Sequence, residues 1–69
     1  MIVAEVETES AVHGYEFNDG EDLEGIELYA THTHEKWQRI SIYRVRELRD
    51  VATGVVRKTS PTLLLERVA

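Results

Sequence analysis

The chain has 69 residues, no cysteine and a formal net charge of −5, with 42% apolar and 30% charged residues. A domain of this length buries only about 60% of the surface its unfolded chain exposes, and it has neither a disulfide nor a thiolate metal site to support it. The composition excludes the disordered class, and no apolar run approaches the ~20 residues of a bilayer span.

Ile2, Ala4 and Val6 alternate with Glu5 and Glu7, which predicts a half-buried strand over residues 2–8. Ser10 to Gly14 reads as a break, and Tyr15-Glu16-Phe17 as a short resumption of strand. Asn18-Asp19-Gly20-Glu21-Asp22 is a loop, because these residues tolerate positive φ and form local hydrogen bonds that compete with regular structure. Ile26, Leu28 and Ala30 then alternate with Glu27, Tyr29 and Thr31, predicting a strand over residues 26–33 and a turn at His34-Glu35-Lys36.

Residues 38–48 are rich in Ile40, Ile42, Tyr43 and Val45, which favour strand over the competing helix. The apolar parity shifts between Ile42 and Tyr43, as at a bulge or in a strand buried on both faces. Asp50-Val51-Ala52-Thr53-Gly54 predicts a hairpin loop joining residues 45–49 to 55–59, with Gly54 at the left-handed position. Ser60-Pro61 leaves two readings for the last segment. One is a short C-terminal helix with Leu64, Leu65 and Val68 on one face. The other is a final strand through Leu63 and Leu65.

The fold class is thus mainly β, a small antiparallel sheet or partial barrel of about five strands in one domain over residues 1–69, with that short C-terminal helix as the α+β variant. One sheet must bury a face against something. A second copy is a candidate cover, through Leu63–Leu65 or an edge strand. Nothing at either end reads as a secretory leader or lipidation signal, so the expected location is cytoplasmic.

Charge is strongly divided along the chain. Residues 1–35 hold ten acids and no Lys or Arg, whereas residues 36–69 hold three acids and eight bases. Either the halves pair through cross-strand Glu–Arg contacts, or an acidic and a basic face recognise different things, or each other in a second copy.

Four groups of residues are candidates for chemistry. On a strand, His32 and His34 would point the same way and meet one metal ion, with His13 and Glu35 as further ligands. The alternative is two exposed histidines beside a turn. The acidic run from Asp19 does not fit an EF-hand, because its fifth position is Leu23 and its glycine falls at the seventh. The basic set Arg39, Arg44, Arg46, Arg49, Arg57 and Lys58 would lie near Trp37, Tyr29 and Tyr43 on one sheet face. Such a face suits a protein partner, a second copy, or nucleic-acid bases stacked on the aromatics. No Gly-rich phosphate loop or nucleophile motif is present. The residues therefore favour a non-enzymatic interaction or regulatory module that binds a protein or itself through the Arg/Tyr face, with no cofactor. The alternative is a small β-domain binding nucleic acid through its basic half.

Overall fold

The computed structural model describes residues 1–69. Six strands and one helix follow in the order β1 (Ile2–Glu7), β2 (Val12–Phe17), α1 (Leu23–Thr33), β3 (Arg39–Arg44), β4 (Glu47–Arg49), β5 (Val56–Lys58) and β6 (Thr62–Val68). Four of the strands form one antiparallel sheet in the order β2-β1-β3-β6, while β4 and β5 form a separate two-stranded ribbon. The large sheet is open, with β2 and β6 at its edges, and α1 covers one of its faces.

The register places the core. Ala4 lies opposite both Tyr15 and Ile42, and Val6 opposite both His13 and Ile40. All of these point to the helix side, because residues directly opposed in a ladder share a face. Ile2, Ala4, Val6, Ile40 and Ile42 pack there with Ile26 and Ala30 of the helix, and Phe17, Leu23, Trp37, Leu64 and Leu65 lie around them. Only nine of the 69 residues are buried, so a single helix-on-sheet layer provides the apolar stabilisation. The ladder between β1 and β3 continues past both ends through Gln38 N–H to Glu7 O (2.7 Å) and Val45 N–H to Met1 O (2.8 Å).

Residues 26–33, read from the sequence as a strand, belong to a helix. Ile26 and Ala30, four residues apart, are buried on one helical face, whereas Leu28 is 58% exposed. The apparent alternation arose because positions 26 and 30 satisfy both periods and only Leu28 separates them. Asp22 caps the helix, its carboxylate accepting from Glu24 N–H at 3.4 Å while its carbonyl accepts from Ile26 N–H at 3.0 Å. Gly25 lies inside the first turn.

Two other expectations change. The break at residues 10–14 is shorter than expected: the turn is closed by Thr8 N–H to Ala11 O at 2.9 Å, and Val12 to Gly14 already pair with β1. The last segment is a strand, not a helix. Pro61 stands just before it, where a missing N–H breaks no ladder bond. Leu65 pairs with Ile42 and Leu63 with Tyr43, so Leu64 is an extra residue in β6 opposite the point where the apolar parity of β3 shifts. This bulge gave the leucine run its helix-like spacing.

The hairpin between residues 45 and 59 forms as expected, with Gly54 at φ +71°. Gly54 N–H donates to Asp50 O (2.8 Å), Asp50 N–H to Val55 O (2.9 Å), and Ala52 N–H to the Asp50 carboxylate (2.9 Å). This hairpin extends the β3–β6 pair as an arm. The molecule measures 46 × 24 × 16 Å with a radius of gyration of 13.8 Å, against about 11 Å for a compact chain of this length. No helix is long and apolar enough to cross a membrane.

Candidate functional site

Every residue from Arg46 to Lys58 is exposed, and no layer covers either face of the ribbon. Glu47 lies opposite Lys58, Leu48 opposite Arg57, and Arg49 opposite Val56. One side of the arm therefore presents Glu47, Arg49, Val56 and Lys58, and the other Leu48 and Arg57. Leu48, Val51, Val55 and Val56 are 59%, 99%, 50% and 46% exposed. An isolated two-stranded ribbon is at best marginally stable in water, and this one exposes apolar side chains among cations.

The charges of the arm are unspent. Three ion pairs form in the molecule: the Met1 ammonium with Asp19 (2.6 Å), Arg39 with Glu66 (3.6 Å) and Arg67 with Glu27 (3.2 Å). Only Arg67–Glu27 joins a base of the second half to an acid of the first, so pairing between the halves accounts for little of the charge division. Residues 44–59 hold five bases and two acids, a net +3, and the other residues hold three bases and eleven acids, a net −8. The sequence division thus becomes a basic arm on an acidic body. Arg44 and Arg46 act near the base of the arm. Asp19 is held below its ordinary value of 3.8 by its hydrogen bond to the Met1 ammonium first, and also by the charges of that ammonium, Arg44 and Arg46.

The face of the large sheet away from α1 has no helix over it. Glu5 and Glu7 of β1 and Glu16 of β2 stand there, none of them in an ion pair. Tyr43 and Ser41 lie beside them on β3. A shallow hollow of about 300 Å³ is lined by Val3, Glu5, Tyr43, Val45 and Pro61, and a smaller one of about 140 Å³ by Glu5, Glu7, Val12, Arg39, Ser41 and Tyr43.

No family model, curated protein or solved structure matches this chain. Its own chemistry alone therefore defines the site.

The residues grouped by sequence onto one Arg/Tyr face are distributed over three places. Arg46, Arg49, Arg57 and Lys58 are on the arm, with Arg44 at its base. Tyr43 and Arg39 are on the uncovered sheet face, and Arg39 is paired with Glu66. Tyr29 is on the helix, on the opposite side of the sheet, edge-on to Tyr15 at 5.4 Å and Phe17 at 5.8 Å. Trp37 packs against the core instead of offering a stacking platform.

His32 and His34 diverge as well. His32 lies in the last turn of α1 and His34 is its C-cap, and positions two apart on a helix point in nearly opposite directions. His34 instead stacks on His13 at 4.2 Å, and its Nε2 shares a 2.5 Å hydrogen bond with the Tyr15 hydroxyl. No three or more potential ligands converge anywhere in the molecule. Two features escaped sequence reasoning: the exposed apolar residues of the arm, and Glu5, Glu7 and Glu16 as a bare acidic face. The Glu5/Glu7 alternation signalled half of the second. The first was signalled only by the shortness of the strands beside the 50–54 loop.

Proposed function

We propose that the chain is a non-enzymatic interaction module that engages a protein partner through the β4–β5 arm. One observation carries this reading: the arm leaves Leu48 and Val56 uncovered beside Arg49, Arg57 and Lys58, none of which is in an ion pair. Apolar contact with an arginine-rich margin is the composition of a protein contact surface. The partner surface it suits is acidic with a shallow apolar centre. The shallow, solvent-open hollows support a binding role over catalysis. The setting we assign is cytoplasmic, and the cysteine-free chain needs no oxidising compartment.

Nucleic acid is the second reading, favoured by the ribbon itself, since a two-stranded β-ribbon fits a major groove. Two things weigh against it. The body carries a net −8, and no aromatic residue lies on the arm to stack on bases.

Fluorescence anisotropy with labelled poly-glutamate and a labelled DNA duplex separates the two at low salt. The expected result is binding of the acidic polypeptide that R49E/R57E abolishes, with little affinity for the duplex. Arm-dependent binding of the duplex, with affinity falling steeply as salt rises, establishes the nucleic-acid reading instead. Failure of the arm variant to alter any binding overturns both.

A further inference from the structure

We infer that the partner of the arm is a second copy of this chain, whose uncovered acidic sheet face receives it. This rests on the reading of the arm as the contact element and supplies its occupant. The arm and the face are complementary in two respects. The arm offers Arg49, Arg57 and Lys58 without counter-ions, and the face offers Glu5, Glu7 and Glu16 without counter-ions. The arm also exposes Leu48 and Val56, and the face has an apolar hollow walled by Val3, Tyr43, Val45 and Pro61.

Within one chain the two do not meet. The arm runs on from β3 and β6 as an extension of the sheet, and neither β4 nor β5 packs against β1 or β2. A second molecule removes this obstacle. With a two-fold axis, each arm lies on the other copy's face, so every copy gives one arm and receives one. Two arm–face contacts then form together, and both count toward the ~1,200–2,000 Å² that specific interfaces bury. In each contact the ribbon side that bears Leu48 and Arg57 meets the face: Leu48 enters the hollow and Arg57 reaches the glutamates around it, while Arg49 and Lys58, on the other side, add to the positive field of the arm. Desolvating the apolar centre provides the drive, and the charges fix which surfaces meet.

Charge reversal gives a test that a merely unfolded variant cannot imitate. The arm variant is R49E/R57E and the face variant is E5K/E7K. Each is measured by sedimentation velocity alone and as an equimolar mixture, and circular dichroism records whether each is folded. The wild type is expected as a dimer whose dissociation constant rises about tenfold or more as salt is raised from ~50 to ~500 mM. Each variant alone is expected as a folded monomer, because its arm and face then carry like charge. In the mixture, both arm–face contacts join opposite charges again, and a heterodimer is expected.

A wild type that stays monomeric at high concentration overturns the self-pairing. So does a mixture that stays monomeric while both variants are folded. If one pair fails to fold, R57E alone and E7K alone repeat the mixing test. Poly-glutamate binding distinguishes the two failures. A monomeric wild type that still binds it through the arm retains the interaction module and loses only the second copy as its occupant, whereas loss of both removes the arm as a contact element.

Discussion

Gly54 holds the tip of the arm at φ +71°. Open space surrounds its α-carbon, so a side chain there meets no atom within 4 Å, and the cost of substitution is conformational. For an L-residue that cost is about 1–2 kcal/mol. Because no layer packs on the arm, the loss falls on the hairpin rather than on the whole fold. In Gly54→Ala the amides of Asp50 and Val55 are expected to exchange with solvent about 5–30-fold faster, while those of Ile40 and Ile42 keep their wild-type rates; hydrogen exchange by NMR measures both. Asp19 is a second local case. Its folded pKa lies below 3.8, so its contribution is complete above that value and is lost as pH falls through the lowered one. Urea melts across acid pH are expected to show a shallower decline for Asp19→Asn than for wild type. Equal slopes refute the linkage.

Among the elements, α1 contains the one helical glycine that can be replaced at no steric cost. Gly25 sits in its first turn, and a methyl group there touches nothing within 4 Å. Gly25→Ala is expected to stabilise the protein by about 0.4–1 kcal/mol, read from the urea midpoint. The helix is also where sequence and structure diverge most. Strands β1 and β3 and the 50–54 hairpin were legible because alternation or turn chemistry pointed to one answer. Residues 26–33 were not, since Ile26 and Ala30 fit a period of two and a period of 3.6 equally well. Their choice of helix is made by the apolar floor of Ala4, Val6 and Ile42, which lies far away in sequence. Of the candidate site, the cations were legible as a set and their grouping with tyrosines was not. Tyr29 changed faces when its segment became helical, and Arg49, Arg57 and Lys58 left the main sheet when β3 and β6 continued into a separate ribbon.

At the scale of the molecule, nine buried residues hold the fold. A domain of this length is expected to be stable by roughly 3–10 kcal/mol. Ile42 is fully buried between β1, β6 and the helix, and truncating such a residue costs about 2–5 kcal/mol. Ile42→Ala is therefore expected to remove about 2–5 kcal/mol of that stability, read from a lowered urea midpoint in the near-UV dichroism of Trp37. An unchanged midpoint contradicts the thin-core account. Tyr43→Ala, on the uncovered face, is expected to leave the urea midpoint nearly unchanged when introduced into E5K/E7K.

The arm is inserted between two neighbouring strands of the sheet and takes none of its residues from the core. Its sequence can therefore drift, lengthen or be exchanged for another hairpin while β3 and β6 still pair and the helix still packs. On the proposed reading of the arm as the contact element, binding preference is thereby separated from foldability. A library randomised at positions 48, 49, 56 and 57 is expected to stay folded by circular dichroism, and on that reading the same small body would serve as a handle for each new arm.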